Sequence, residues 1–227
     1  MEHYRHELKF LIDYGQYFSL RARLAQVLQP DPHAGPDGTY LIRSVYFDTP
    51  GDKALREKLS GLPMREKFRI RYYNDDLSYL TLEKKQKRGS LCKKLSAPVT
   101  VEECERLFKN DRSWMKEHPS ALIQELYCKM AGSGLRPKVI VSYLREPYVY
   151  APGNVRVTFD SHLRTGLYDR SFFAPRSNGV PAMEQPGEMV LEVKYDAFLP
   201  ELVAHLLQLE GLRQTAFSKY GGSRRFG

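Results

Sequence analysis

The residues able to do chemistry in this chain recur at alternate positions. In Arg65-Glu66-Lys67-Phe68-Arg69-Ile70-Arg71-Tyr72-Tyr73, an extended strand puts Lys67, Arg69 and Arg71 on one face and Phe68, Ile70 and Tyr72 on the other. Three cations in a row repel one another unless an anion or nearby carboxylates compensate them. Glu7 and Lys9, Glu83 and Lys85, Arg156 and Asp160, and Glu192 and Lys194 repeat the device at spacings of two or four, and Arg145 stands beside a further strand end. Arginine offers a planar fork matched to phosphate oxygens, and lysine a point charge. Glutamate oxygens suit Mg²⁺ or Mn²⁺. Phosphoryl transfer on a tri- or polyphosphate needs mainly such positioning and charge stabilisation. A Walker loop is absent, since the glycines of Lys219-Tyr220-Gly221-Gly222-Ser223 are out of order for one.

Each candidate also has a plainer reading. Glu192 reads as a metal ligand or as one end of an internal salt bridge, and Glu7 equally as a neutraliser of Lys9 or Arg5. Asp160 fits a metal ligand, an ion pair with Arg156 or a turn cap. Lys93 and Lys94 read as solvated, and Lys67, at the start of its strand, as lying near the end of the charged face or outside it. Tyr46 and Trp114 read as packing residues, and His162 and His205 have no partner at metal-ligand spacing.

The elements that must position these residues follow from periodicity. Strands are expected at Tyr4–Leu11, Tyr40–Thr49, the Arg65–Tyr73 stretch, Ser78–Lys87, Leu91–Leu95, Lys138–Arg145, Val155–Asp160 and Met189–Asp196. Helices are expected from the Asp13 cap to about Leu28, over Asp52–Leu59, after the Thr100/Glu103 capping box, from Ser120 to the Gly132-Ser133-Gly134 stop, and from Pro200 to about Leu209. Gly166–Gly187 reads as a long loop crossing an opening, and Phe217–Phe226 as a basic, loop-like tail. With no repeat or linker, residues 1–227 form one domain. The charged faces fit either an open antiparallel sheet with its charges in water or a closed sheet with its charges inside. Periodicity alone leaves the two open, and a face of almost only Arg, Lys and Glu leans toward the closed one.

A formal charge of +8, from 35 basic and 27 acidic residues, suits a polyanionic partner. Nucleic acid is disfavoured, because the cations alternate with apolar and aromatic residues that face a core. Cys92, Cys104 and Cys128 form no CxxC pair, which points to a reducing cytoplasm, with Cys128 filling core. No window approaches the ~20 apolar residues of a membrane span, so work at a membrane would need a membrane-protein partner.

Six motifs stand in order along the chain: Glu7-Leu8-Lys9-Phe10, Ser44-Val45-Tyr46-Phe47-Asp48-Thr49, Phe68-Arg69-Ile70-Arg71-Tyr72, Leu82-Glu83-Lys84-Lys85, Leu191-Glu192-Val193-Lys194 and Phe217-Ser218-Lys219-Tyr220. From Tyr4 to Tyr220 the sequence resembles the VTC domain, the polyphosphate-polymerase core of the vacuolar transporter chaperone complex and a triphosphate tunnel metalloenzyme. The resemblance implies an α+β fold: a closed antiparallel β-barrel of about eight strands, with a charged interior and flanking helices. It also implies transfer of the ATP γ-phosphate to a polyphosphate chain with Mn²⁺ or Mg²⁺. Carried over by motif, Lys9, Arg69, Arg71, Lys85, Arg145, Arg156 and Lys219 would bind phosphates, with Lys94 and Lys194 as further candidates. Arg69, Arg71, Arg145, Arg156 and Lys219 would form the catalytic set. Glu192 would be the main metal ligand, with Glu7 and Glu83 as helpers. Triphosphatases and adenylate cyclases use the same tunnel, so a triphosphatase or a binding module without turnover remain alternatives. The inositol-pyrophosphate sensor and membrane helices of the eukaryotic complex are not read here.

Overall fold

In a computed structural model, the described residues are 4–167, 171–174, 179–183 and 185–226. The strands are β1 (Arg5–Ile12), β2 (Gln29–Pro30), β3 (Tyr40–Asp48), β4 (Met64–Tyr73), β5 (Asp76–Arg88), β6 (Leu91–Val99), β7 (Arg136–Tyr150), β8 (Val155–Leu167), β9 (Val180–Pro181) and β10 (Met189–Tyr195). Neighbours run in the order β7-β3-β4-β5-β6-β1-β10-β8, and β8 pairs back onto β7. Every pairing is antiparallel, so these eight strands form a closed barrel, with β2 and β9 as short additions to β7 and β8. Closure removes the sheet edges and gives each strand a wall face and a lumen face.

The apolar half of each alternation packs outward beneath helices. Val45, Phe68, Ile70, Tyr72, Leu80 and Leu82 are buried with residues of α3 (Val101–Phe108) and α4 (Ala121–Ser133). Val157, Phe159, Leu191 and Val193 are buried with residues of α1 (Tyr14–Leu24) and α5 (Glu201–Leu206). Each such side chain contributes about 1.5–3 kcal/mol by leaving water. Capping boxes start α1 at Asp13 and α3 at Thr100.

The weakest seam lies between β1 and β6, which pair only at Arg5–Cys92 and His6–Leu91. Farther along, the C-terminal segment takes the edge of β1: Phe10 bridges to Gln214, and the Thr215 amide donates to the Lys9 carbonyl at 2.8 Å. That segment leads into α6 (Lys219–Phe226), a helix where a basic, loop-like tail is expected from sequence. Gly221 and Gly222 weaken helix propensity, but tertiary contacts override them. Tyr220 is buried with the inward residues Tyr46, Val139, Val141 and Leu163, and Ser223 is fully buried, its carbonyl accepting from the Thr165 hydroxyl of β8 at 3.2 Å.

One carboxylate ties this end of the barrel together. Asp48, at the end of β3, accepts from the amides of Thr49 (2.7 Å), Ala54 (2.9 Å) and Leu55 (3.2 Å), the last two in the first turn of α2 (Lys53–Leu59). It also accepts from the Tyr220 hydroxyl of α6.

Several other expectations change. α1 stops at Leu24, and β7 and β8 extend well beyond the lengths that alternation indicated. Their extra turns carry Tyr148 and Tyr150, and Leu163 and Leu167, whose pattern is broken by a register shift between Ser142 and Leu144. Cys128 is exposed on α4, whereas Cys104 is the buried cysteine. Within Gly166–Gly187, Phe172 packs between Tyr72 and Phe108 on the outer wall rather than over an opening. Residues 168–170, 175–178 and 184 of that loop lie outside the described residues.

The Asp48 cluster gives a stability prediction. Tyr220→Phe removes a hydrogen bond to a buried carboxylate and should cost about 1.5–3 kcal/mol in urea unfolding. An unchanged midpoint and slope would show that the bond does not hold α6.

Candidate functional site

The lumen face carries the charges. Glu7 and Lys9 on β1, Lys67, Arg69 and Arg71 on β4, and Glu83 and Lys85 on β5 share it with Arg145 on β7, Asp160 on β8 and Glu192 and Lys194 on β10. Contacts that reach past neighbouring strands fix this orientation. Arg71 Nη2 donates to the Tyr143 hydroxyl on β7 at 3.0 Å, and Lys85 on β5 pairs with Glu7 on β1.

Three ionic groups organise the lumen. In the first, Lys9 Nζ lies 2.8 Å from Glu7 Oε1 and 3.3 Å from Glu192 Oε2, while Lys194 Nζ lies 2.5 Å from Glu192 Oε1. Burial works against ionisation of both carboxyls. The cations outweigh it, Lys9 foremost at Glu7 and Lys194 and Lys9 at Glu192, and hold both well below the usual carboxylate range. Burial pulls Lys194 down to about 8 despite Glu192 and Glu7.

In the second group, Glu83 receives Arg69 Nε (2.6 Å) and Nη2 (2.5 Å), Lys94 Nζ (3.1 Å) and, more distantly, Arg71 Nη1 (3.9 Å). Burial opposes the charge on Glu83, and Arg69 and Arg71 more than restore it. Arg69 also donates to the Tyr46 hydroxyl at 2.9 Å, and Arg71 to Ser44 Oγ at 3.1 Å. Burial would raise the Tyr46 phenol, but Arg69 and Arg71 draw it below its ordinary value. Tyr46 thus faces the charged lumen, beyond the packing role read from sequence.

In the third, Asp160 takes a two-pronged hydrogen bond from Arg145 (2.6 and 2.7 Å) and an ion pair from Lys219 (2.5 Å). Asp160 therefore answers Arg145 and Lys219. Arg156 turns instead to Asp31 and the Tyr40 hydroxyl, both at 2.7 Å. Asp31, whose side chain is 4% exposed, was not singled out in the sequence because it sits in a proline- and glycine-rich loop without periodicity.

Every carried-over site residue thus joins one of these groups or the Arg156 pair. Lys94 is the most solvated, its side chain 56% exposed although it reaches Glu83. Glu7 and Glu192 meet at Lys9, while Glu83 stands apart with Arg69. Lys67 differs from all of these. It is half-buried on the lumen face, so it lies neither outside nor free in solvent, and no carboxylate pairs with it among the described residues. Its ammonium touches Ser218 Oγ (3.1 Å) and sits 5.0 Å above the Tyr220 ring. Burial, then Lys9, Arg65, Lys85 and Lys58, bring it down to about 7.

A divalent cation in the lumen would need oxygen donors at these positions. No cluster of three or more His, Cys, Asp or Glu side chains stands ready among the described residues. Glu7 and Glu192 nevertheless present ionised oxygens on either side of one ammonium. Thr158, opposite Glu192 in the β8–β10 register, carries a buried hydroxyl without a hydrogen-bond partner. Two carboxylates and a spare hydroxyl are oxygen ligands of the kind Mg²⁺ and Mn²⁺ take. The orphaned hydroxyl gave no signal in the sequence beyond its place between Arg156 and Asp160.

The VTC domain family model matches residues 4–226. The chain belongs to the VTC domain family. No curated protein matches it. Among solved structures, a candidate adenylate cyclase from Bacillus halodurans is 15% identical, with 89% of this chain and 86% of that one covered and a TM-score of 0.47. The PH1819 protein of Pyrococcus horikoshii is 14% identical over 96% of each chain, with a TM-score of 0.48. A candidate adenylate cyclase from Vibrio parahaemolyticus is 8% identical over 90% of this VTC-domain chain and 83% of its own, with a TM-score of 0.45. No helix among the described residues of this VTC domain is long and apolar enough to cross a membrane.

Two predictions follow from the charges. Asp160→Asn leaves Arg145 and Lys219 buried without their anion and should cost about 3–5 kcal/mol in urea unfolding; a loss under 1 kcal/mol would show that water, not Asp160, compensates them. Lys67 has a folded pKa near 7 against an ordinary 10.5, so its protonated form opposes folding. Wild-type stability should therefore rise from pH 7 toward 10.5 at this site. Lys67→Met should raise Tm most below pH 7, with the gain fading as pH rises. A gain independent of pH would mean that the ammonium is well solvated.

Proposed function

We propose that this VTC domain is a metal-dependent, polyphosphate polymerase-like phosphotransferase that moves the γ-phosphate of ATP onto a polyphosphate chain. The observation that supports this most is the excess of cations on an enclosed face. Among the described residues, Lys9, Lys85, Lys194, Arg69, Arg71, Lys94, Arg145, Lys219 and Arg156 share only Glu7, Glu192, Glu83, Asp160 and Asp31. Such a surplus in a barrel interior calls for a polyanion. Family membership points to the same ligand class.

On this reading, Arg69, Arg71, Arg145 and Lys219 hold the triphosphate, with Arg156 at its side and Lys9, Lys85, Lys94 and Lys194 as further phosphate contacts. Glu83 and Asp160 aim the arginines, and the phosphate oxygens take over donors that the carboxylates hold in the free protein. A terminal oxygen of the acceptor chain attacks the γ-phosphorus. The bond to the β,γ-bridging oxygen breaks, ADP departs, and the chain grows by one unit. Because the attacking oxygen is already ionised, no protein nucleophile or general base is required. The guanidinium groups spread the charge that builds on the transferring phosphoryl group. Glu192 and Glu7, with the Thr158 hydroxyl, would hold Mn²⁺ or Mg²⁺, which supplies charge neutralisation between phosphate oxygens when bound.

Incubation with ATP and Mn²⁺ should yield long chains on a gel. Orthophosphate release without chains would move the assignment to a triphosphatase; tight, salt-sensitive binding with no product would leave a binding module. Arg71→Lys keeps the charge but loses the fork and should lower kcat by about 10²–10³. Glu192→Gln should raise the Mn²⁺ concentration needed for half-maximal rate, whereas an unchanged requirement would remove Glu192 from the metal site.

A further inference from the structure

The outer wall of the barrel carries a gap between its two helical layers. α3 and α4 cover outward side chains of β4 and β5, and α1 and α5 cover those of β8 and β10. On β1, Leu8 and Phe10 alternate with the lumen residues Glu7 and Lys9 and stay only half-buried. They line a groove of about 550 Å³ with Ala204 of α5, Leu207 at its end and Leu212 beyond it. Gln208 and Glu210 are the polar residues of that lining. Glu201 stands one turn before Ala204 on the same side of α5. Glu201 and Glu210 are both exposed, and no ion pair holds either among the described residues. Arg23 of α1 is turned to the Gln208 carbonyl at 2.8 Å, which ties the end of α5 to α1. Two unpaired acids beside an apolar trough, on a chain of net charge +8, give this place a sign opposite to that of the whole molecule.

We propose that this groove docks an amphipathic helix of a partner protein, with leucine-like side chains in the trough and lysine or arginine toward Glu201 and Glu210. A helix suits the place because helices cover the wall on both sides of it, and the small Ala204 lets another backbone come close to α5. Basic flanks suit it because they meet the two unpaired acids, whereas an acidic flank would face like charge. Docking there reaches the lumen from outside. The chain beyond Leu212 bridges to Phe10 at Gln214, donates the Thr215 amide to the Lys9 carbonyl and carries Lys219 to Asp160. A helix that holds Leu212 against Phe10 therefore also steadies Lys219. The groove itself lies outside the lumen, so its occupancy does not depend on the reaction proposed above.

The test is fluorescence anisotropy of two labelled peptides titrated with the full chain at fixed salt. One peptide sets leucine and lysine at the period of an amphipathic helix, and the other has glutamate in place of lysine. The lysine peptide should bind the wild-type chain. Ala204→Trp, which fills the trough, should weaken that binding by at least about tenfold. Glu201→Lys/Glu210→Lys should weaken the lysine peptide by about tenfold and tighten the glutamate peptide. The Thr215 amide should exchange its hydrogen more slowly with the lysine peptide bound. No binding of the lysine peptide, equal binding to Ala204→Trp, or an unchanged preference after charge reversal would overturn the proposal. Self-association of the wild-type chain that Ala204→Trp abolishes would assign the groove to a second copy instead. Displacement of the lysine peptide by dodecanoate, with no effect of charge reversal, would assign it to an alkyl chain. Thermal unfolding alongside each titration confirms that the variants are folded, and the charge-reversal pair touches only exposed side chains.

Discussion

Confinement of like charge is the constraint on which the rest of the structure depends. A closed barrel cannot let its inward arginines and lysines disperse into bulk water, so each must meet an anion or lose its charge. Three carboxylate-centred groups meet that requirement without ligand. Buried ion pairs of this kind seldom add net stability, because the cost of desolvating both partners offsets their attraction. Well-packed apolar side chains would fill the same lumen at lower cost. Charge is retained there all the same, and it holds the inward cations in set positions. Asp160 shows how: it holds Arg145 and Lys219 in a fixed geometry.

That arrangement also explains why the end of the chain belongs inside. Lys219 reaches Asp160 only because the segment before it lies along β1 and delivers α6 into the barrel. The Asp48 carboxylate then couples α6 to α2 through one residue at the end of β3. α2, which carries Lys58, and α6, which carries Lys219, are thereby tied to the same buried contact, although they lie far apart in sequence. The Asp160 group, through Lys219, and the surroundings of Lys67, through Ser218 and Tyr220, are therefore linked: loosening Tyr220 from Asp48 would disturb both.

Much of this was legible in the sequence because strand alternation has a period of two that no helix imitates. Glu7 with Lys9, Arg69 with Arg71, and Glu192 with Lys194 fell on the lumen side as expected. The six ordered motifs resolved the choice between open and closed sheets that alternation could not. What alternation could not show was partnership. Asp160 was two positions from Arg156 on one strand, yet it answers Arg145 across the β7–β8 pairing and Lys219 from a helix. Asp31 is invisible to periodicity, because a loop residue has none. α6 was missed because two adjacent glycines argue locally for a turn, whereas its helicity comes from burial of Tyr220 and Ser223 against the lumen. Cys128 missed its expected place in the core because α4 buries Leu122, Ile123, Leu126 and Met130 and leaves the cysteine off that stripe.

Lys67 shows most clearly where sequence reasoning stops. Its alternation placed it correctly with Arg69 and Arg71, but a position near the end of a strand suggested escape into solvent. The structure prevents that escape: α6 crosses above it, and Ser218 and Tyr220 supply a hydroxyl and a ring face rather than a charge. A hydroxyl and an aromatic face compensate an ammonium only partly, each being worth far less than a desolvated carboxylate. A lysine needed only to support the fold would be better served by the glutamate that Arg69 and Lys9 each possess. Among the described residues no carboxylate stands beside Lys67, so in a lumen otherwise matched by acids its ammonium keeps an electrostatic cost that its neighbours have shed.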